Sequence, residues 1–103
     1  MTGHDVIMVR LYLTEGETQL ATLLKRMRDW EKVRGLTVFR GIAGFGPSGE
    51  IHETKFVDLS LDLPIVVEFF DEAGKVEQIL AHLGSIVKSD HMVWWHAQSN
   101  ASE

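Results

Sequence analysis

Cysteine is absent from the 103 residues, which excludes disulfides, thiolate metal centres and cysteine nucleophiles and suits a reducing compartment. Positive charge is also scarce. Ten Lys and Arg stand against fifteen Asp and Glu, a formal net charge of −5, so a nucleic-acid polyanion is repelled on average. No apolar run approaches the length needed to cross a bilayer. The opening residues, Met1-Thr2-Gly3-His4-Asp5, carry neither the basic segment nor the apolar stretch of a leader, and a cytoplasmic location is expected. Hydrophobic residues make up 45% and charged residues 24%, the proportions of an ordinary globular chain. The length fits one domain, 1–103. A chain this small hides only a modest share of its surface, so assembly with copies of itself would help.

What is present reads as alternating strands and helices. Residues 6–13 (VIMVRLYL) form an apolar, β-favouring run. Its faces differ: Ile7, Val9, Leu11 and Leu13 are aliphatic, whereas Val6, Met8, Arg10 and Tyr12 include a charge and a phenol. The first face is expected to meet helices. A helix follows over about residues 18–33, with Leu20, Leu23, Leu24, Met27 and Trp30 on one stripe. Thr14 and Glu17 resemble a capping box and Gly35 a stop. Lys25, Arg26, Arg28 and Lys32 crowd its outer surface, the pattern of a solvated face.

Residues 36–43 (LTVFRGIA) read as a second strand. About 44–61 is a long glycine-rich, polar loop, of the kind that is usually functional. A third strand covers 63–70 (LPIVVEFF), with Pro64 near its start. A second helix opens at Asp71 or Glu72, carries Val76, Ile79, Leu80 and Leu83 on one stripe and stops at Gly84. Residues 92–97 (MVWWHA) are the last strand, and about 98–103 a polar tail. The order β-α-β-β-α-β predicts an α+β, ferredoxin-like sandwich with both helices on one side of a four-stranded sheet. The other side would carry Met8, Arg10, Tyr12, Val66, Glu68 and Phe70, with Arg10 paired to Glu68 across neighbouring strands. That surface is too apolar for bare solvent, and self-association is expected to cover it.

Residues 44–49 (GFGPSG) fit G-x-G-x-x-G letter for letter, yet no helical stripe follows to hold a pyrophosphate, so the dinucleotide reading is set aside. Gly41, Gly44 and Gly46 fit a loop root instead, where close approach and positive φ are needed and backbone N–H groups could form an anion nest. Five histidines, His4, His52, His82, His91 and His96, lack metal-ligand spacing, and no metal site is expected. Ser60, Ser85 and Ser89 lack a nucleophile elbow. Trp94 and Trp95 fall on opposite faces of the last strand, one expected in the core and the other at an interface or stacked on a ligand.

Thr37, Val38, Arg40, Gly41, Gly44, Phe45 and Gly46, then His52, then Leu59, Ser60, Asp62, Leu63, Pro64 and Glu68 match the pattern TVxRGxxGFG, a loop histidine, and LSxDLPxxxE. In these residues the chain resembles the PII-like family called domain of unknown function 190, and the likeness extends over essentially its whole length. The resemblance implies a homotrimer with the central segment as a PII-type T-loop. It also implies an adenine nucleotide (ATP, ADP or AMP) as effector between subunits, and no catalysis. The loop root carried over for the ligand is Gly44, Phe45 and Gly46, beside Gly41; Arg40, Lys55 and Lys88 are the cations expected to bind its phosphates, and Pro47, Ser48, Glu50, His52 and Glu53 would meet a partner protein, an enzyme or membrane transporter.

The chain also departs from PII proteins. Residues 84–90 (GSIVKSD) hold one glycine and one lysine where those proteins have a richer phosphate loop, the C-terminal arginine pair is missing, and Tyr12 is the only tyrosine. A weaker nucleotide or another anion fits these departures. So does a ligand-independent interaction subunit of a membrane transporter or channel.

Overall fold

The computed structural model describes residues 3–14, 20–45, 49, 51–53 and 63–100, with only the backbone given for Thr14 and for 51–53. Six strands and two helices follow in the order β1 (Gly3–Thr14), α1 (Leu20–Asp29), β2 (Leu36–Arg40), β3 (Ala43–Phe45), β4 (Ile51–Glu53), β5 (Pro64–Asp71), α2 (Ala73–Leu83) and β6 (Met92–Asn100). Four of the strands make one sheet in the order β2-β5-β1-β6, and β3 and β4 form a separate ribbon. Every neighbour in the main sheet is antiparallel. This is the expected ferredoxin-like arrangement, with the first and third long strands side by side at its centre.

The alternation along β1 and β5 sorts their side chains as anticipated. Ile7, Val9 and Leu11 of β1 join Ile65, Val67 and Phe69 of β5 in the core, under Met27 of α1 and Val76, Ile79 and Leu83 of α2. The helices are not equal partners. α2 buries three aliphatic side chains and α1 buries only Met27.

Several boundaries differ from the sequence reading. The first helix ends at Asp29, short of Val33, because the chain turns back before Gly35 is reached. The Trp30 and Glu31 amides both donate to the Arg26 carbonyl, and Lys32 takes the left-handed conformation at φ 57. Trp30, placed on the apolar stripe, is therefore turned out and 79% exposed. Thr14 is the last residue of β1, and the expected capping box with Glu17 lies outside the described residues. Gly84 stops α2 in right-handed backbone, φ −58. The expected polar tail is strand as far as Asn100, which pairs with Gly3. Ladder bonds are made by backbone, so polar side chains such as Gln98 and Ser99 gave no sign of them.

A buried carboxylate ties α2 to the sheet. Asp71, at the end of β5, accepts from the Glu72 amide at 2.9 Å and faces the Lys75 ammonium at 3.0 Å and the Arg34 guanidinium at 3.6 Å. Burial alone pushes its carboxyl up, but the Glu72 amide, the Lys75 ammonium and the Arg34 amide together hold it below the usual aspartate range.

Candidate functional site

Two surfaces are left unfinished by this fold. One is the sheet face away from the helices. Register lines up Phe70, Met8 and Trp95 in one row, Thr37, Glu68, Arg10 and Val93 in the next, and Phe39, Val66 and Tyr12 in a third. At the centre the Arg10 guanidinium donates to Glu68 Oε2 through Nε at 3.0 Å and Nη2 at 2.6 Å, as the sequence suggested. The bond to Glu68, and then one to Tyr12, holds the guanidinium more firmly protonated than usual. Arg10 also lies 5.4 Å from the centre of the Trp95 ring, a cation–π distance. Around this pair Tyr12, Phe39, Phe70, Val93 and Trp95 are exposed, while Val6 on the same face is buried opposite Ala97.

The other surface is the root of the central segment. Arg40 closes β2 opposite Ile65, exposed at the end of the sheet. The Gly41 amide then donates to the Pro64 carbonyl at 2.7 Å. A Cβ on Gly41 would lie 3.1 Å from Pro64 Cγ, and one on Gly44 3.0 Å. Both glycines thus sit tightly against one proline ring, which a Cβ at either position would push back by a few tenths of an ångström. Close approach is present as expected, but positive φ is not: among the described glycines only Gly49 has it, at 78. Gly41 and Gly44 therefore form no nest of alternating backbone. Gly44 is instead held opposite His52 in the β3–β4 ribbon, so the polar segment begins as paired strands. Phe45 pairs with Ile51 in that ribbon and is 73% exposed, and Ile42 is 82% exposed.

The remaining proposed residues divide cleanly. His52 and Glu53 belong to β4. Gly46, Pro47, Ser48, Glu50 and Lys55 lie outside the described residues. Lys88 sits in the turn before β6, where its carbonyl accepts from the His91 amide at 3.1 Å. Arg40, Gly41 and Gly44 are thus gathered around Pro64, while Lys88 is at the same end of the sheet on the opposite edge. Pro64 is the residue that sequence reasoning underrated. It was read as tolerable in a strand, although its place in the DLP motif was the available signal.

Both tryptophans of β6 are exposed, so neither is core. β6 is an edge strand and α2 lies over β1 and β5, leaving Trp94 uncovered on the helix side. Among the described residues no group of three or more His, Cys, Asp or Glu is placed to hold a metal, and no helix is long and apolar enough to cross a membrane.

Comparison with known proteins places this architecture. A UPF0166 protein of Aquifex aeolicus is 39% identical over 69 residues, 67% of this chain and 65% of that protein's length. One from Methanocaldococcus jannaschii is 28% identical over 93 residues, 82% of each chain. Among solved structures, CPII from Thiomonas intermedia K12 bound to ADP and bicarbonate superposes with a TM-score of 0.71. It is 17% identical and covers 97% of this chain and 93% of its own. A second structure of CPII, described as a nitrogen regulatory PII-like protein bound to ADP, AMP and bicarbonate, gives 0.67 at 16% identity, over 97% and 100%. Residues 7–99 match the model of the DUF190 family, described as "Uncharacterized ACR, COG1993". The sheet with one bare face and the glycine root folded around Pro64 are thus those of a DUF190 (UPF0166) family member, built on the fold of PII-like CPII.

Proposed function

We propose that this chain is a non-catalytic, cytoplasmic PII-like regulator that assembles as a homotrimer through its open sheet face. A small anionic effector, an adenine nucleotide (ATP, ADP or AMP), binds at the loop root between copies. Arg40, Lys55 and Lys88 supply charge-assisted bonds to phosphate, and Gly41, Gly44, Phe45 and Gly46 supply backbone and ring contacts. The central segment, with Pro47, Ser48, Glu50, His52 and Glu53, engages a target protein when the effector orders it. No resident cofactor is required.

The observation that carries this reading is the open face itself. Five exposed apolar side chains surround one ion pair on a sheet whose opposite face buries Ile7, Val9, Leu11, Ile65, Val67 and Phe69 in the core, and a monomer rarely leaves such a patch in water. CPII, with the same fold, was solved with ADP, and the loop root here sits at the sheet end that holds Arg40 and Lys88. Calorimetric titration with ATP, ADP and AMP, with and without bicarbonate, tests it alongside light scattering. Saturable binding by a particle of three chains is expected, weakened at least about tenfold in Arg40→Ala. A monomer, or a trimer that binds none of the three, overturns it.

A second reading rests on Ile42 and Phe45, the apolar side chains most exposed at the root. On that reading the ribbon docks permanently on a membrane transporter or channel and no ligand is needed. A trimer without nucleotide affinity would select it.

A further inference from the structure

The turn that ends α1 throws Trp30 outward and turns Glu31 inward. The buried Glu31 carboxylate is then met from two helices. Arg26 of α1 donates from Nε to Oε2 at 3.2 Å, and His82 of α2 places Nδ1 3.1 Å from Oε1 and 3.2 Å from Oε2. None of these three residues belongs to the open sheet face or to the root of the central segment.

This geometry fixes the proton on the ring. A carboxylate that already takes a guanidinium offers only lone pairs, so Nδ1 is the donor and keeps its hydrogen. In the neutral ring the free lone pair then belongs to Nε2, and the His82 side chain is 53% exposed. A carboxylate on one imidazole nitrogen sets tautomer and orientation and leaves the other nitrogen as a ligand or a nucleophile. Among the described histidines only His82 is held in this way. His91 Nδ1 lies instead 2.9 Å from the Ser89 carbonyl, an uncharged partner, and His96 is exposed on the edge strand β6.

The surroundings narrow what Nε2 can do. A metal needs further ligands, and among the described residues no group of three His, Cys, Asp or Glu is placed to hold one. The nearest hydroxyl in sequence, Ser85 Oγ, donates to the His82 carbonyl at 3.2 Å and is not presented to the ring for activation. The ring nitrogen itself is therefore the nucleophile.

We propose that His82 is a phosphoryl-acceptor site, modified at Nε2 by a donor that carries its phosphoryl group on nitrogen, such as another protein's phosphohistidine. The Nε2 lone pair attacks phosphorus and a new N–P bond forms. The donor's own P–N bond breaks, and its electron pair returns to the donor nitrogen. No proton has to leave His82, because Nδ1 keeps its hydrogen throughout. The ring becomes cationic as the bond forms. Glu31 faces that charge, and His82 stands in the last turn of α2, where the carbonyl ends of the helix add partial negative charge. Glu31 is thus a positioning residue that does not touch the phosphoryl group, and Arg26 holds it in place. The modification requires neither the trimer nor the nucleotide.

Phosphoramidate, a small donor of the same class, tests this on the full folded chain in mildly alkaline buffer. Peptide mass spectrometry gives the rate at each histidine, and phosphorus NMR tells which ring nitrogen is modified. His82 should react at least about tenfold faster than His91 or His96, with the phosphoryl group on Nε2. His82→Gln should abolish the fast phase. Glu31→Gln should slow His82 to the rate of His96 and leave His96 itself unchanged, a pattern that general loss of structure would not give. Equal rates at His82, His91 and His96 in the parent chain would overturn the site. Modification of His82 on Nδ1, or full reactivity in Glu31→Gln, would overturn it equally.

Discussion

Leu11 and Tyr12 are neighbours on β1 and share one backbone ladder, yet Leu11 is 0% and Tyr12 41% exposed. The difference runs along the whole strand. Ile7, Val9 and Leu11 pack into the core with both helices, and Met8, Arg10 and Tyr12 lie on the face away from them, where Arg10 meets Glu68 and Trp95 of the same sheet. The two faces teach that the fold is packed for stability on one side and left open on the other. Leu11→Ala should break the first and spare the second. It leaves a cavity beneath α2 and is expected to cost about 2–5 kcal/mol in denaturant unfolding. Tyr12→Ala should change monomer unfolding little and shift the light-scattering midpoint of the proposed trimer to higher protein concentration. Equal losses of stability from both would mean that the faces are not distinct.

The ion pair at the centre of the open face gives a smaller effect. Arg10 and Glu68 are both part exposed in the single chain, where such a pair contributes little. Covered by neighbouring copies, the same guanidinium would be left uncompensated by Glu68→Gln. The expected result is an unchanged unfolding curve for dissociated chains and assembly weakened by about tenfold or more. Assembly that ignores the substitution would place the interface elsewhere.

What the sequence disclosed, and what it hid, follows the same two faces. Alternation of Ile7, Val9 and Leu11 with Met8, Arg10 and Tyr12, and the opposition of Arg10 to Glu68, were readable because strand periodicity is two and the topology is restricted. Trp30 was misplaced because a hydrophobic stripe does not reveal where a helix stops, and Lys32, not a glycine, takes the left-handed turn. The β3–β4 ribbon and the last residues of β6 escaped notice because backbone pairing leaves no mark on polar side chains. Of the candidate site, the glycines of the root were legible and their reason was not. They make room for Pro64, a contact across some twenty residues that no local pattern encodes.

Acid should erode the covered face before the open one. Asp71 is held charged in the folded chain below its unfolded value, so its contribution is present above about pH 4 and is lost as pH falls through the folded value. Asp71→Asn keeps the shape but removes the charge that the Lys75 ammonium and the Glu72 amide meet. A loss of about 1–2 kcal/mol at neutral pH is expected, with a flatter acid limb in unfolding measured from pH 7 to pH 3. An acid limb as steep as in the parent chain would assign it to other carboxylates.

The comparison of faces weakens on β6, and the smallest effect should be found there. Trp94 stands on the helix side and Trp95 on the open side, but both are exposed because β6 is an edge. What separates them is Arg10, which lies over Trp95. Trp95→Leu removes a cation–π contact and should lower the thermal midpoint of the dissociated chain by a few degrees, at most about 4 °C. Trp94→Leu has no such partner among the described residues and should leave the midpoint within about a degree. If the order were reversed, the helix side of β6 would be bearing load that its exposure conceals. The alternation seen on β1 would then extend to the edge.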